Sequence, residues 1–544
     1  MKLNQFRARV FGLMTALPMA ALLVAACVAP VPPAAAPAAT DAPAATAPRM
    51  PLQDAVGDMA PQAVWQNFYA LTQVPRPSHH EEQVRAFLVD FGRQLGLETI
   101  VDPAGNVLIR KPAAPGLEDR PGVVLQAHMD MVPQKTPDSA HDFLVDPIQA
   151  YVDAGWVTAD GTTLGADDGI GMAMAMAVLQ AQTPPLGPLE ALFTVNEEDG
   201  MDGALGLPPD LLQGRILINL DSETEGEFTI GSAGGEYATV DTTYAEIVPQ
   251  ADGVAYAVTV GGLKGGHSGI DINRGRGHAI KLLVRFLQSA ADVADVQVAQ
   301  LAGGDAANAI TREATAHVVI PAAAQAQFLD NVAAFEATVR AELAAVEPDL
   351  AVTAAPVDLP PAVMEPAAQR TLLDALYAMP QGVMRMSDAV PGLVETSTNT
   401  GIVAVADGAI GVTMNMRSSV DTELDDLGRM VAAVWDLADM SVAFSGRYAG
   451  WNPNPDAPIV VLMQATYADL YGQTPGIVAL HAGLECGAIR ALVPGMDAIS
   501  IGPTLHDVHT PAERLEIASV EKVYNLVLET LVRIAAQGVA AAQT

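Results

Sequence analysis

The chain has 544 residues, which is too long for one ordinary domain and predicts two or three folded units. Half of its residues are hydrophobic and 17% are charged, a composition that is typical of globular proteins and excludes bulk disorder. The 28 Lys and Arg residues against 63 Asp and Glu residues give a formal net charge of -35, which would repel a nucleic acid backbone. With Cys27 and Cys486 as its two cysteines, we expect no internal disulfide framework.

Residues 1–27 have the pattern of a secretory signal. Basic residues precede an apolar run over 11–26 that is too short for a comfortable membrane span. The run ends in V-A-A-C, which resembles the bacterial lipobox with Cys27 as the lipidated residue; an ordinary signal with an incidental cysteine is the alternative. Residues 28–61 are rich in Ala, Pro, Thr and Val and predict an extended tether. We therefore expect an exported bacterial lipoprotein, anchored to a membrane and exposed to the periplasm or the cell surface.

Strands and helices are predicted to alternate after this tether. Folding is expected to begin near Val64, and Ser78 to Glu81 have the form of a capping box that opens an amphipathic helix. Four buried strands are predicted, over residues 123–127, 189–195, 216–220 and 498–501. A helix is predicted between the first two strands, over residues 171–179. This alternation indicates an α/β fold with a mixed central sheet flanked by helices.

Polar side chains follow each predicted strand at its carboxyl end. In chain order they are His128, Asp130, Glu197, Glu198, Asp221 and His509. Because open α/β sheets bind ligands at these ends of their strands, we expect these side chains to form one site.

Residues 235–451 differ in character from the chain on either side. Ala-rich helical stretches there, such as 322–346, are mixed with alternating strands such as 254–260. We interpret this segment as an inserted α+β domain, because His509, which completes the expected site, lies beyond it. The main domain would then comprise residues 62–234 and 452–544.

The clustered residue types favour metal chemistry. His128 and Asp130 are two apart on an extended segment and point the same way, so the carboxylate can steady the imidazole. Asp167 lies in a glycine-flanked turn at a predicted helix start. The alternative interpretation is that its carboxylate only caps that helix. Glu197 and Glu198 are adjacent carboxylates that repel each other unless a cation or proton intervenes, with a solvated loop as the alternative. Imidazoles and carboxylates together suit zinc, manganese or cobalt, and a two-metal site is the economical interpretation.

Long strings of the sequence carry a specific resemblance. They are L-Q-A-H-M-D-M-V-P-Q-K, G-T-T-L-G-A-D-D-G-I-G-M-A, E-E-D-G-M-D-G-A, N-L-D-S-E, G-L-K-G-G-H-S-G and H-A-G-L-E-C-G. These strings resemble bacterial peptidase D, the aminoacyl-histidine dipeptidases, within the co-catalytic metallopeptidases that include carboxypeptidase G and carnosinase. The resemblance runs from about residue 65 to residue 532. It implies a catalytic domain that carries two divalent metal ions, a lid domain over 235–451, and a homodimer formed through the lid.

The resemblance also assigns the metal ligands. His128 and Asp221 would hold one metal ion. Glu198 and His509 would hold the other, and Asp167 would bridge the two. Zinc is the expected metal, with manganese or cobalt as alternatives.

The resemblance assigns further residues to catalysis and substrate binding. Glu197 would be the general base that takes a proton from a water held by the metal ions and passes it to the leaving amine. Asp130 would support the imidazole of a metal ligand. In the lid, His267 would stabilise the oxyanion and Arg417 would bind the free carboxylate of the substrate, with Asn308 assisting.

The sequence departs from the family pattern at two places. The loop after residue 501 contains His506 as well as His509, where the family usually has one histidine, and the flanking motifs favour His509. Asp168 stands where relatives often have Asn. In the H-A-G-L-E-C-G string, His481 and Glu485 are expected either to shape the pocket or to pack structurally.

The predicted function is hydrolysis of short unblocked peptides, with Xaa-His dipeptides as the expected substrates. A broad dipeptidase, an aminoacylase or a deacylase is the alternative among hydrolases, because these enzymes share the metal set and differ in the pocket walls. An anchored lipoprotein that binds metal or peptide without turnover is the alternative from another class. Glu197 argues against it, because a binding protein needs no free carboxylate beside its ligands. Membrane contact is expected only through the lipid on Cys27.

Overall fold

The computed structural model describes residues 49–291 and 294–537. The predicted signal peptide with Cys27, and the predicted tether as far as residue 48, lie outside the described residues. Within the rest of that tether, Met50 and Pro51 pair with a strand of the folded chain, and the Leu52 side chain is fully buried. The folded chain therefore begins before the predicted boundary at residue 61, because Met50 and Pro51 pair with a strand and Leu52 belongs to the core.

The elements up to Ser232 precede the long antiparallel sheet. In chain order they are β1 (Met50–Pro51), α1 (Leu52–Ala55), α2 (Gln62–Thr72), α3 (Glu82–Gln94), β2 (Glu98–Val101), β3 (Val107–Lys111), β4 (Val123–His128), β5 (Ala150–Asp153), β6 (Trp156–Ala159), α4 (Ala166–Gln180), β7 (Leu189–Thr194), α5 (Asp202–Leu205), β8 (Ile216–Asn219) and β9 (Glu227–Ser232).

The middle elements contain long antiparallel strands. They are β10 (Gly234–Thr243), β11 (Glu246–Ile247), β12 (Gly253–Gly261), α6 (Ala279–Ala291), β13 (Gln297–Gly303), β14 (Ala314–Pro321), a 3-10 turn (Ala322–Ala324), α7 (Gln325–Leu343), β15 (Ala351–Val357), β16 (Val363–Met364), α8 (Pro366–Ala378), β17 (Gly382–Met386), β18 (Val394–Ala406), β19 (Ala409–Ser418), α9 (Asp421–Leu437) and β20 (Ala443–Tyr448).

The last elements return to the first part of the fold. They are α10 (Pro458–Tyr471), β21 (Gly476–Leu480), α11 (Glu485–Leu492), β22 (Asp497–Ser500), β23 (Leu505–His506), β24 (Arg514–Glu516) and α12 (Ile517–Gln537).

An eight-stranded mixed sheet forms the centre of the first part, in the order β2-β3-β7-β4-β8-β22-β9-β21. Strand β4 is parallel to both neighbours, β7 and β8, and β8 is parallel to β22. The predicted strands are these four, and the helix predicted over 171–179 lies inside α4. The predicted α/β fold with a mixed sheet flanked by helices is confirmed.

Alternate residues of the central strands pack on opposite faces of this sheet. Val123 and Leu125 of β4 join a core with α2, α4, α10 and α12, whereas Val124 faces a second core with α5 and α11. The side chains of strand residues alternate in direction, so strands covered by helices on both faces read as continuous apolar runs. This is why the sequence predicted the buried strands.

A nine-stranded antiparallel sheet lies between Gly234 and Tyr448, in the order β15-β12-β14-β13-β18-β19-β10-β20, with β17 paired to β18. Helices α6 to α9 pack on it through a separate apolar core that contains Phe286, Phe328 and Trp435. A five-stranded sheet of order β1-β5-β6-β24-β23 and the pair β11-β16 complete the strands. None of the described helices has both the length and the hydropathy that crossing a bilayer would require.

The capping box predicted over residues 78–81 is wrong. Helix α3 begins at Glu82, and Glu81 before it makes no capping hydrogen bond with its side chain. Instead, one carboxylate oxygen of Glu81 accepts the backbone N–H groups of His79 and Asn196, at 2.9 and 3.2 Å. Glu81 therefore connects the start of α3 to the segment after β7, a long-range contact that the local motif does not predict.

Candidate metal centre

The strands bring most of the predicted site residues to one edge of the mixed sheet. His128 is the last residue of β4, Glu197 and Glu198 follow β7, and Asp221 follows β8. Because β4, β7 and β8 are parallel neighbours, their carboxyl ends lie side by side. Asp167 reaches the same edge from the first turn of α4, where its backbone is not helical.

Asp167 lies between the two predicted imidazole ligands. Its Oδ1 is 3.0 Å from Nε2 of His128, and its Oδ2 is 3.1 Å from Nε2 of His509. His128 Nε2 is also 3.4 Å from Asp221 Oδ1, and His509 Nε2 is 3.0 Å from Glu198 Oε2. The geometry thus forms two groups of donors that share one carboxylate.

Asp130 lies beneath this arrangement and is completely buried. Its Oδ1 is 3.3 Å from Nδ1 of His128 and accepts the backbone N–H of Glu197 at 3.1 Å. Its Oδ2 accepts the hydroxyl of Ser78 at 2.8 Å and the N–H of Glu198 at 3.4 Å. Asp130 therefore orients one imidazole and holds the backbone of both glutamates, while Ser78 serves this carboxylate instead of capping α3.

The two imidazoles attract protons because carboxylates surround them. Burial alone would lower the pKa of His128, but the charges of Asp221, Asp130 and Asp167 outweigh it and raise that pKa well above its usual value. Hydrogen bonds with Asp167 and Glu198 raise the pKa of His509 to about 11. Burial would raise the pKa of Asp167, but its hydrogen bonds with both imidazoles lower it. Positive charge is therefore favoured on either side of Asp167.

The donor set fits divalent metal ions. One donor atom each from His128, Asp167 and Glu198 lies within 4.8 Å of the others. Glu198 Oε1 is buried and has no hydrogen-bond partner among the described residues, which costs free energy unless a cation binds it. Neutral imidazole nitrogens and carboxylate oxygens are the ligands that zinc, manganese and cobalt accept.

Glu197 differs from the other acidic residues of the edge. Among residues 49–291 and 294–537, its carboxylate takes part in no hydrogen bond or ion pair that the structure records, although Asp130 holds its backbone. Burial and the charges of Asp221, Glu485 and Glu198 raise its pKa well above the usual value, against a lowering by His128. A carboxyl group with raised proton affinity, next to the donor set but free of partners, is suited to accept and release a proton.

A second polar cluster contains predicted residues of the segment 235–451. Arg417 is 5% exposed, donates from Nη1 to the Tyr448 hydroxyl at 3.0 Å, and leaves its buried Nε without a partner in the described part of the chain. Burial and the charges of Arg417 and His267 lower the pKa of His481 to about 3. Ser397 Oγ lies 2.7 Å from Nε2 of His481. Because no acidic side chain in the described ranges pairs with Arg417, this cluster is suited to bind a carboxylate.

His267 has one defined tautomer in this cluster. Its Nδ1 accepts the backbone N–H groups of Gly269 and Ile270, both at 3.1 Å. Burial and the charge of Arg417 lower the pKa of His267, which keeps the ring neutral. The proton of the neutral ring therefore lies on Nε2, which makes that nitrogen a hydrogen-bond donor.

The remaining predicted residues have different positions. Asn308 is exposed, and its backbone carbonyl accepts the N–H of Ser268 at 2.8 Å. His506 lies apart from the donor set, with its ring 5.2 Å from the ring of Trp156. Cys486 is fully buried in the core that covers the second face of the mixed sheet.

Two buried polar residues at the centre, Glu513 and Arg76, had no signal in the sequence that we used. Glu513 accepts backbone N–H groups of the turn that carries Asp167, and Arg76 donates to backbone carbonyls beneath it. For Glu485, the sequence left open whether it shapes the pocket or packs structurally. Its carboxylate accepts hydrogen bonds from the side chains of Gln126 and Thr194 under the sheet edge, at 2.6 and 2.7 Å. Burial raises the pKa of Glu485 to about 7.

Comparison with known proteins agrees with this geometry. The chain is 42% identical over 482 residues to the cytosol non-specific dipeptidase of Escherichia coli strain K12, an alignment that covers 89% of this chain and 99% of that one. The crystal structure of the aminoacylhistidine dipeptidase of Vibrio alginolyticus superposes with a TM-score of 0.82 at 42% identity, covering 88% of this chain and 97% of the other. A Staphylococcus aureus tripeptidase has a TM-score of 0.52 at 17% identity, with 88% of this chain and all of that chain covered, and shows the shared fold.

The expected location outside the cytoplasm is contradicted by these comparisons. The Escherichia coli relative, which aligns with 89% of this chain, is by its name a cytosol enzyme. The prediction of an exported, membrane-anchored lipoprotein is therefore wrong, and the alternative of an anchored binding lipoprotein has no support. Cys27 and the signal pattern that led to this prediction lie outside the described residues.

A family model agrees with the resemblance that the sequence motifs indicated. The model described as peptidase family M20/M25/M40 matches residues 124–533, which include every predicted metal ligand. The predicted resemblance is thereby confirmed. We conclude that the chain is a metallopeptidase that belongs to the peptidase family M20/M25/M40.

Proposed function

We propose that the chain hydrolyses unblocked dipeptides, with Xaa-His dipeptides among its preferred substrates. The observation that carries this proposal is the Asp167 carboxylate, which lies within 3.1 Å of two imidazoles. Beside it lies the Glu197 carboxyl, which has no partner among the described residues. The names of the two relatives at 42% identity support the substrate class, because one is a non-specific dipeptidase and the other an aminoacylhistidine dipeptidase.

The proposed metal ligands divide into two sets around one bridge. His128 and Asp221 would hold one ion, Glu198 and His509 the other, and Asp167 both. The two ions, zinc or else manganese or cobalt, would supply Lewis acidity to the peptide carbonyl and lower the pKa of water. Ligand residues contribute by their placement, since Asp167 already faces both imidazoles.

Glu197 would move the proton that hydrolysis requires. As a base it takes a proton from the attacking water, and as an acid it gives that proton to the nitrogen of the leaving amine. Its raised pKa suits both steps, because a carboxyl that holds a proton too weakly cannot return it. Asp130 would keep the Glu197 backbone in place during this exchange.

The second cluster would bind the other end of the dipeptide. Arg417 would bind the terminal carboxylate, since it is buried without an acidic partner among the described residues. His267 would donate from Nε2 to the oxygen that gains negative charge as the carbonyl is attacked. Asn308 would assist from the neighbouring loop. A carboxylate held one residue away from the hydrolysed bond would favour release of a single C-terminal residue.

The proposed domain arrangement follows from these two groups of residues. Residues 62–234 and 452–544 would form the catalytic domain, and the inserted residues 235–451 would form the lid. Support comes from the sheets. Most metal donors follow strands of the mixed sheet and His509 lies between β23 and β24 of the five-stranded sheet, whereas His267 and Arg417 belong to the chain of the antiparallel sheet. The lid would also carry the homodimer contact.

A dipeptide panel tests the proposed function. The metal-free chain is supplied with zinc, manganese or cobalt, and release of free amino acid is measured from β-alanyl-histidine, Leu-His, Ala-Ala and an N-acetylated amino acid. We expect metal-dependent cleavage of the dipeptides, with kcat/KM highest for the Xaa-His substrates. Equal rates on all dipeptides would overturn the proposed preference for histidine, while the assignment as a dipeptidase would stand.

The same panel separates the alternative functions. Cleavage of the acetylated compound alone would identify an acylase and contradict the proposal. Metal uptake without any turnover would identify a binding protein.

Arg417→Lys provides a matched variant, because Lys keeps the charge but loses the bidentate geometry. It should raise KM for dipeptides and leave metal uptake unchanged.

A further inference from the structure

A buried carboxylate from a distant part of the chain holds the turn that carries Asp167. Glu513 is 2% exposed, and its two carboxylate oxygens accept four consecutive backbone N–H groups. Oε2 accepts from Leu164 at 2.7 Å and from Gly165 at 3.0 Å. Oε1 accepts from Ala166 at 2.7 Å and from Asp167 at 3.3 Å. N–H groups at a helix start have no partner inside the helix, so Glu513 acts as a long-range cap of α4.

Glu513 also belongs to the segment that carries His509. Its backbone N–H donates to the carbonyl of Thr510 at 3.1 Å. Its carbonyl accepts the hydroxyl of Thr158 in β6 at 2.8 Å. Because β24 begins at the next residue and pairs with β6, the position of Glu513 is fixed by the five-stranded sheet. One residue thus connects the loop of His509 with the turn of Asp167.

Arg76 fixes the same turn from the side of β4. It is 3% exposed, and its Nη1 donates to the carbonyls of Met129 and Asp130 at 3.1 and 2.7 Å. Its Nη2 donates to the carbonyl of Gly165. Gly165 therefore gives its N–H to Glu513 and its carbonyl to Arg76, and both sides of its backbone are held.

We propose that Glu513 is a positioning residue that presets the Asp167 carboxylate to bridge two metal ions. The inference rests on the proposed metal centre. Asp167 has to face His128 and His509 at the same time, and a small rotation of its turn would lose one of these contacts. Glu513 itself touches neither imidazole and does no chemistry, so its effect is on the second metal ion and on the coupling between the two.

The substitution Glu513→Gln tests this role with little change in shape. An amide nitrogen cannot accept a hydrogen bond, so one of the two pairs of N–H groups would lose its acceptor. Glu516→Gln is the matched control, because Glu516 lies three residues further along, at the end of β24, and its carboxylate forms no hydrogen bond or ion pair within residues 49–291 and 294–537. Mn²⁺ alone is titrated into the metal-free full chains, with bound ions counted by equilibrium dialysis. Electron paramagnetic resonance then reports whether the two ions are magnetically coupled through a shared carboxylate.

We expect the wild type and E516Q to bind two Mn²⁺ ions and to give the spectrum of a coupled pair. E513Q should bind the second ion about 10- to 100-fold more weakly, as is typical when a residue that orients a metal ligand is removed, and should lose the coupled spectrum. A coupled spectrum and an unchanged second affinity in E513Q would overturn the positioning role while the metal centre stands. A wild type that binds a single ion would overturn the metal centre, and this proposal with it.

Glu513→Asp keeps the test decisive if E513Q does not fold. Asp retains the charge but is one methylene shorter, so it cannot reach all four N–H groups. We expect E513D to fold without metal, judged by far-ultraviolet circular dichroism, and to lose the coupled spectrum. If neither variant folds without metal, Glu513 is required for the fold as a whole, and the positioning role is overturned.

Discussion

Charge balance at single residues explains why the centre requires cations. Asp167, Glu198 and Asp221 approach one another at the sheet edge, with the imidazoles of His128 and His509 within 3.4 Å of their oxygens. Without metal, protons on the imidazoles offset part of this repulsion, which is why the pKa values of both histidines are raised. Divalent ions would replace those protons, so the same residues that attract protons also favour metal binding.

Glu197→Gln separates proton transfer from metal binding. The amide keeps the size of the side chain but cannot accept a proton, so we expect kcat to fall by about 10²- to 10⁴-fold, the usual contribution of a general base. Bound metal, measured by atomic absorption, should stay at the wild-type level because Glu197 is not a proposed ligand. Glu521→Gln on the exposed face of α12 is the control and should retain full activity. Wild-type kcat in E197Q would show that another group takes the proton.

His278 should make the folded chain sensitive to acid. Burial and the Lys281 ammonium lower its pKa from 6.5 to about 4. Between these values the unfolded chain binds a proton that the folded chain does not, so stability falls as the pH decreases, by about 1.4 kcal/mol per pH unit. From pH 7 to pH 5 the wild type should lose roughly 2 kcal/mol more than His278→Gln, measured by urea unfolding.

The half-buried His317 in β14 provides the control for this experiment. His317→Gln replaces an imidazole by an amide at a half-buried position, so it reports the effect of that exchange apart from the enclosed site of His278. If H278Q and the wild type lost the same stability between pH 7 and pH 5, the buried His278 would have to be protonated in the folded chain.

At the scale of elements, the turn before α4 is closely packed against Arg76 and Met131. Gly165 has a φ of 69°, and a Cβ added there would lie 2.8 Å from both Arg76 Nη2 and Met131 Sδ. Gly165→Ala is therefore expected to displace the turn, weaken metal binding and lower kcat/KM by at least tenfold. Gly155→Ala is the matched control, since its φ is 89° but no atom lies within 4 Å of an added Cβ.

Both glycine variants carry the cost of a left-handed backbone, about 1–2 kcal/mol per residue. Comparing them isolates the steric contact with Arg76 and Met131. Metal affinity measured by dialysis and kcat/KM should fall in G165A and stay near the wild type in G155A. Equal losses in the two variants would attribute the effect to general destabilisation of the fold.

The sequence predicted the elements that carry the centre better than the contacts that hold it. Strands β4, β7 and β8 were predictable because each is a short apolar run, and parallel strands bring their carboxyl ends together. The role of Glu513 was not, because it binds backbone N–H groups more than 340 residues earlier, and any residue can supply an N–H. The prediction of a capping box was wrong for the same reason. The Ser78 hydroxyl donates to the carboxylate of Asp130, which is distant in sequence, instead of capping the nearby helix.

At the scale of the whole molecule, the proposed site draws on both large sheets. Most metal donors lie at the edge of the mixed sheet and His509 lies in the loop between β23 and β24, whereas Arg417 belongs to β19 of the antiparallel sheet. Arg417 contacts Tyr448, and its charge also acts on His481, which follows β21 of the mixed sheet. Sequence motifs identified these residues one by one. They come together in space only because the chain re-enters the mixed sheet, through β21 and β22, after the strands of the antiparallel sheet.

Metal removal should destabilise the chain because the proposed ligands come from distant segments. His128, Asp167 and His509 are brought together only in the folded state, so ions that bind there favour folding. At a metal concentration 100 times the dissociation constant, one ion stabilises the fold by about 2.7 kcal/mol. We expect chelation to lower the Tm measured by calorimetry, and zinc or manganese to restore it. The shift should be smaller at pH 6 than at pH 8, because both imidazoles must lose protons to bind metal. Glu198→Gln should reduce this shift in Tm, and the control Glu521→Gln should not. A Tm that is the same with and without metal at both pH values would contradict the proposed metal centre.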